Sequence, residues 1–215
     1  MSTPPEGWQR LSSALLADVL DTLGFYHSAL PPEIRPLKPT WQICGRAATL
    51  SATGVAAEPA RPYAIEMECI DALTPGQVLV ASTHGDRSSA LWGELLSTAC
   101  KARGAVGVVL DGLTRDTTRI LGMDYPVFAS GFSPLDSKGR IDCIAHNQPI
   151  RIGSCLIRPG DWIFGDVDGL VVVPTELAEE AFRRALVKAQ GENRVRDELA
   201  RGRSLREVFA EFGIL

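Results

Sequence analysis

The run Val106-Gly107-Val108-Val109-Leu110 carries no polar side chain, and it constrains the fold more than any other stretch of this chain. A half-buried strand alternates apolar with polar residues, so an unbroken apolar run of this length predicts a strand covered on both faces. Upstream, Gln77-Val78-Leu79-Val80-Ala81 is a second short apolar strand, entered through a Pro75-Gly76 turn. Between the two lies a helical stretch that ends near Arg103, with Gly104 as its stop signal. Strand, helix and strand in that order predict a βαβ unit.

The flanking segments extend this picture. Leu15, Leu16, Val19, Leu20 and Leu23 recur at helical spacing after Ser12 and Ser13, either of which can cap, and Gly24 follows. A proline-rich connection over 31–39 leads to Ile43-Cys44-Gly45-Arg46-Ala47-Ala48-Thr49-Leu50, read as strand, and 63–72 reads as helix. Beyond Asp111-Gly112 the pattern shortens into strands at 127–129, 141–145, 150–152, 162–164 and 170–173, with Asp161, Asp166 and Asp168 in the turns. A long helix from Thr175 to about Arg201 and a short one over 204–212 close the chain. The β-rich second half argues against a plain doubly wound sheet. At 215 residues, one α/β domain spanning 1–215 is expected.

Charge and motif patterns remove several function classes. With 22 basic against 26 acidic side chains the net charge is −4, the wrong sign for a protein that binds by neutralising phosphates, so no nucleic-acid partner is expected. No apolar stretch approaches membrane-spanning length and the N-terminus lacks a signal pattern, so a cytoplasmic protein with no membrane partner is expected. The cysteines, Cys44, Cys69, Cys100, Cys143 and Cys155, are scattered, odd in number and without C-x-x-C spacing, as expected of buried reduced thiols. His27, His84 and His146 have no metal-ligand spacing, although His84 beside Gly85-Asp86 is a candidate for testing. Lys101 and Lys138 sit in polar surroundings unsuited to a Schiff-base amine.

The chemistry concentrates at the two ends of the predicted helix–strand pass. Gly93 permits a close approach to the backbone, and the amides of Leu95 and Leu96 at a helix start have no intrahelical acceptor, which suits them to a carboxylate. Arg115 offers a permanent two-pronged cation, and Asp116 is a hard oxygen ligand for an ion such as Mg²⁺, with Glu94 able to hold one of its waters. Together these groups suit a reaction through an enolate, in which charge develops on a former carbonyl oxygen while an acid end stays anchored. The plainer reading stands beside it: an Arg-Asp pair after a strand is commonly a surface feature, Glu94 suits a first helical turn, and Trp92 is as readily packing as pocket wall.

Glu94, twenty intervening residues and then Arg115-Asp116 form one pattern, accompanied by Ser89-Ala90-Leu91-Trp92-Gly93-Glu94-Leu95-Leu96 and by Gly165-Asp166-Val167-Asp168-Gly169-Leu170-Val171-Val172-Val173-Pro174. In these features most of the chain resembles the 4-hydroxy-4-methyl-2-oxoglutarate (HMG/CHA) aldolases and the related regulator of ribonuclease activity A. The resemblance implies a three-layer β/β/α swivelling-type fold with C-terminal helices, assembled as homotrimers or homohexamers with sites between subunits. It implies a class II, metal-dependent pyruvate aldolase or oxaloacetate decarboxylase acting on a small 2-oxo acid with Mg²⁺ or Mn²⁺, by retro-aldol cleavage of 4-hydroxy-2-oxo diacids or decarboxylation of oxaloacetate through a pyruvate enolate. In that scheme Arg115 binds the pyruvate part, Asp116 binds the metal, and the Leu95 and Leu96 amides seat the carboxylate. Glu192, from a neighbouring subunit, completes the metal shell. The alternative it implies is a non-enzymatic protein that binds and regulates a ribonuclease. Two positions depart from the family pattern: Arg119 stands where an acid is frequent, and Glu94 where many members carry Asp. The first bears on recognition of a second substrate carboxylate, and the second sets the acid about one methylene further out.

Overall fold

Residues 3–214 are described by a computed structural model. Helix α1 (Ser13–Thr22) is capped by Ser12, whose hydroxyl accepts from the Leu15 amide, and is followed by Gly24 in the left-handed region. Then come β1 (Arg35–Pro36) and the twelve-residue β2 (Ile43–Gly54). Three passes follow: α2 (Ala64–Asp71) leads to β3 (Gln77–Ser82); β4 (Ala90–Trp92) and α3 (Glu94–Ala102) lead to β5 (Gly107–Leu110); β6 (Leu113–Thr114) and α4 (Thr117–Gly122) lead to β7 (Val127–Ala129). The rest comprises β8 (Gly131–Phe132), β9 (Ile141–His146), β10 (Ile150–Ile152), β11 (Cys155–Ile157), β12 (Trp162–Asp166), β13 (Gly169–Val173), α5 (Ala178–Ala200) and α6 (Leu205–Phe212).

The predicted βαβ unit is present and repeats. Strands β2, β3, β5 and β7 are parallel neighbours, while β12 and β9 pair antiparallel along the far edge of β2 and β13 continues beyond β12. Strand parity explains the unbroken apolar runs. Ile43, Val78, Val80, Val109, Phe128, Ile163, Leu170 and Val172 point to one face, where they pack with the β10–β11 hairpin and with Leu30 and Ile34. Their neighbours in sequence point to the other face. Leu79, Ala81, Val108, Leu110 and Val127 meet α2, α3 and Trp92, whereas Trp162, Phe164, Val171 and Val173 meet α1 and α5. Both faces are therefore dry, as a buried strand requires.

The sheet curls until it is nearly closed. Ala29 bridges to Val171 on β13, and six residues later Arg35 pairs with Ala129 on β7, at the opposite edge. Six residues reach at most about 20 Å, so the two edges lie within that span. The layered α/β expectation holds, with helices over a curled sheet and two C-terminal helices.

Other expectations are met by specific bonds. Buried Asp166 accepts from the Ser13 amide (2.8 Å), the Ser13 hydroxyl (2.6 Å) and the Asp168 amide (3.0 Å), which ties α1 to the β12–β13 turn. Asp161 accepts from the amides of Arg158 and Thr175. All five cysteines are buried and free; burial pushes the Cys44, Cys69 and Cys100 thiols up to about 12 and Cys155 to about 11, so none is a ready thiolate. Among the described residues no helix is long and apolar enough to cross a membrane.

The sequence pattern misses the small parallel sheet β4-β6-β8, whose two- and three-residue strands are too short to show a period. This sheet grows from the chain just beyond the C-terminal ends of β3, β5 and β7, where parallel sheets commonly bind ligands. Phe128 is fully buried inside the curl, and Phe128→Ala is expected to cost about 3–5 kcal/mol of stability, read as a lower urea midpoint with an unchanged slope.

Candidate active site

The small sheet is what joins the two halves of the sequence pattern. Trp92 pairs with Thr114 across β4 and β6, and the Trp92 carbonyl accepts from the Arg115 amide (2.9 Å) and the Thr114 hydroxyl (3.2 Å). Trp92 itself is fully buried and donates its indole N–H to Ser97, so its role is packing. With this register fixed, Gly93 lies against Arg115 and Asp116. A Cβ at Gly93 would stand 2.9 Å from Asp116 Oδ2 and 3.4 Å from Arg115 Cγ, so the room that a side chain would need is taken by the Asp116 carboxylate.

Gly93, Leu95, Leu96, Arg115 and Asp116 line one cleft of about 310 Å³. Helix α3 starts at Glu94, so the amides of Leu95 and Leu96 fall in its first turn and have no acceptor within the helix. The Glu94 carboxylate is turned along the helix to accept from Thr98 (2.9 Å), and it is the Glu94 amide that approaches Asp116 Oδ2, at 3.5 Å. Glu192 lies on α5, 4.0 Å from Lys188, and is not part of this chain's own cleft wall. Arg119 is exposed on α4 and also stands outside the wall. His84 contacts Ser51, Lys101 donates to the Met123 carbonyl and Lys138 pairs with Glu58, all away from the cleft.

Three further lining residues have no signal in the motif. Asp136, in the loop after β8, stands 3.3 Å from Arg115 Nη2 and accepts from the Tyr63 hydroxyl at 2.9 Å. The Ala90–Asp136 bridge and the Ala90 amide bond to the Leu135 carbonyl hold that loop to β4. Tyr63 and Asp116 both take left-handed backbone, φ 64° and 56°, a conformation that non-glycine residues adopt at a cost and that recurs at functional sites. Because Tyr63 is left-handed, α2 starts one residue later than its apolar pattern suggests.

Glu66, on α2, is the third. It is 2% exposed, lines the cleft, and its Oε1 has no hydrogen-bond partner. Burial, reinforced by Asp142 and Asp136, pushes its carboxyl up to about 8, so it is mainly protonated at neutral pH. Tyr63 is likewise kept protonated, pushed up to about 12 by burial and by its bond to Asp136.

The donor set fits a hydrated ion and not a closed cage. Asp116 is a hard carboxylate, 41% exposed, with only the distant Glu94 amide and Arg115 Nε at 3.8 Å beside it. A carboxylate so open to water could hold a divalent cation that keeps several of its waters. The Glu66 carboxyl carries a separate, testable signature. Folded, it holds its proton up to about pH 8; unfolded, it loses it near its ordinary value of 4.5, so its contribution to stability falls as pH rises between these values. Relative to wild type, Glu66→Gln is expected to gain roughly 1–3 kcal/mol between pH 4.5 and 8 in urea titrations, less than the whole shift because local opening to water relieves part of the cost.

Comparison with known proteins gives the family of the chain. A family model described as Aldolase/RraA (RraA-like) matches residues 13–172. Protein DlpA of Legionella pneumophila is 28% identical over 206 residues; the match covers 94% of this chain, which spans about a third (32%) of that protein's length. A Halalkalibacterium halodurans protein named "Putative 4-hydroxy-4-methyl-2-oxoglutarate aldolase" is 30% identical over 195 residues, covering 88% of this chain and 85% of that protein. The crystal structure of Streptomyces coelicolor RraAS2, described as an unusual member of the RNase ES inhibitor RraA protein family, superposes with a TM-score of 0.80 at 28% identity, covering 91% of this chain and 98% of that one. With nearly three quarters of its length inside the family match, this chain belongs to the Aldolase/RraA (RraA-like) family.

Proposed function

We propose that this protein is a divalent-metal-dependent lyase that cleaves a carbon–carbon bond next to the carbonyl of a 2-oxo acid, by way of a pyruvate enolate. The observation that carries this reading is the shared register of β4 and β6, which sets the first-turn amides of α3 beside the Arg115 guanidinium and the Asp116 carboxylate in one cleft. The amides of Leu95 and Leu96 seat the substrate's C1 carboxylate, since they are unpaired donors at the positive end of a helix dipole. Arg115 directs its fork at the 2-oxo oxygen, held in place by Asp136 on one side. Its charge opposes the negative charge that grows on that oxygen as the bond breaks.

Mg²⁺ or Mn²⁺ bound by Asp116 would supply additional neutralisation of the same oxygen. Within this scheme the Glu94 carboxylate, turned from Thr98, would hold one of the ion's waters, and Glu192 would join from a neighbouring subunit of a homotrimer or homohexamer. Retro-aldol cleavage of a 4-hydroxy-2-oxo acid and decarboxylation of oxaloacetate both pass through this enolate. Support comes from relatives named as aldolases and from the convergence of Gly93, Leu95, Leu96, Arg115 and Asp116 on one wall.

One finding favours a different reading. A structural neighbour is described as a member of an RNase inhibitor family. The two readings separate in a single assay series. Pyruvate release from a panel of 2-oxo acids is expected to stop with EDTA and return with Mg²⁺ or Mn²⁺, and Arg115→Ala or Asp116→Ala is expected to lower kcat/KM by about 10²–10³. Turnover untouched by chelator would remove the metal. Absence of turnover together with ribonuclease binding that survives Asp116→Ala would replace the lyase by the regulator.

A further inference from the structure

Charge is distributed unevenly along the cleft. Among the described residues that line it, Arg115 is the one cation, and it is already shared between Asp116 and Asp136. The lining also carries Glu66, Tyr63, Asp136 and Ser137, with Asp142 close enough to Glu66 to act on it. Among the described lining residues the one counter-charge beside them, Arg115, is already paired with Asp136, and a second carboxylate there would also face the Asp136 carboxylate. Arg119, the cation whose position could have balanced it, stands outside the wall on α4. The adjoining wall is built of Leu91, Leu96 and Met67.

A buried oxygen without a partner is costly, and it is relieved when a ligand brings a hydroxyl to it. Glu66 Oε1 is in that condition on a residue that lines the cleft, and a turn of the side chain brings it to a bound hydroxyl. Sites built to pair with a substrate hydroxyl discriminate strongly against analogues that lack it, because the site's own polar group is then left orphaned.

We infer that Glu66, together with Tyr63 and Ser137, forms a distal subsite that accepts a neutral, hydroxyl-bearing end of the substrate, so the preferred substrate for retro-aldol cleavage is a hydroxylated 2-oxo monocarboxylic acid and not a diacid. This rests on the lyase reading and narrows its substrate class. In the corresponding retro-aldol step the C3–C4 bond breaks and its electron pair stays on the 2-oxo acid fragment as the pyruvate enolate. The C4 hydroxyl gives up its proton and becomes the carbonyl of a neutral aldehyde, and one proton adds at C3, so the step needs no oxidant or reductant.

The test compares three substrates in the presence of Mg²⁺: 4,5-dihydroxy-2-oxopentanoate, its 5-deoxy analogue and 4-hydroxy-2-oxoglutarate. The expected order of kcat/KM is dihydroxy monoacid, then deoxy monoacid, then diacid, with at least about tenfold between first and last. Glu66→Leu, which removes the polar group at similar volume, is expected to raise KM for the dihydroxy acid and abolish its advantage over the deoxy acid, with kcat much less affected. A diacid turned over as well as or better than the monoacids overturns the inference, as does a hydroxyl preference that survives Glu66→Leu. If that variant fails to fold, Glu66→Gln is expected to keep the wild-type order, and a reversal toward the diacid in either protein overturns the assignment. Calorimetric binding of 5-hydroxy-2-oxopentanoate, 2-oxopentanoate and 2-oxoglutarate separates this inference from the lyase reading. Without turnover of any substrate the lyase reading falls, yet binding in the same order sustains the subsite. Equal or tighter binding of 2-oxoglutarate, or no binding at all, overturns it.

Discussion

Dry burial of the parallel strands on both faces is the constraint on which the rest of the structure depends. A strand such as β5, with Val109 turned into the curl and Val108 and Leu110 turned toward helices, has no face on which to carry a polar group. Reactive side chains are displaced to the strand ends, and the small sheet β4-β6-β8 is built there from the first residues that emerge. The site is a consequence of the core: the same burial that keeps chemistry off the strands concentrates it at their C-terminal edge.

Within that edge a single carbonyl does most of the positioning. Trp92 O takes both the Arg115 amide and the Thr114 hydroxyl, and the buried indole beside it fixes where the turn into α3 starts. Glycine at 93 then lets the Asp116 carboxylate lie against the backbone. Asp136 completes the arrangement from a separate loop by holding Arg115 and the Tyr63 hydroxyl together. Each of these contacts is modest alone; their joint effect is that a guanidinium, a carboxylate and two unpaired amides share one wall.

The parts of this molecule that can be read from sequence are those whose signal is local. The apolar runs of β3 and β5, the serine cap of α1 and the glycine stop after α3 are each encoded within a few residues, and the structure forms them all. Glu94 and Arg115-Asp116 are separated by a helix and a strand, and a βαβ unit returns the chain to the same edge, so their meeting was legible as topology. The fine roles were not: the Glu94 carboxylate turns to Thr98, and its amide is what meets Asp116. Tyr63, Glu66 and Asp136 escaped because they come from α2 and from the loop after β8, and nothing local in Ala64-Ile65-Glu66-Met67 distinguishes a buried acid from an exposed one. Strands β4, β6 and β8 escaped because two or three residues cannot display a period.

The short ribbon that runs from Ala29 to Arg35 has a mechanical consequence. It is stitched to β13 at one end and to β7 at the other, so the two outermost strands of the curl share a single fastener. Neither hem presents a bare row of amides and carbonyls at those positions for a stranger's strand to zip onto.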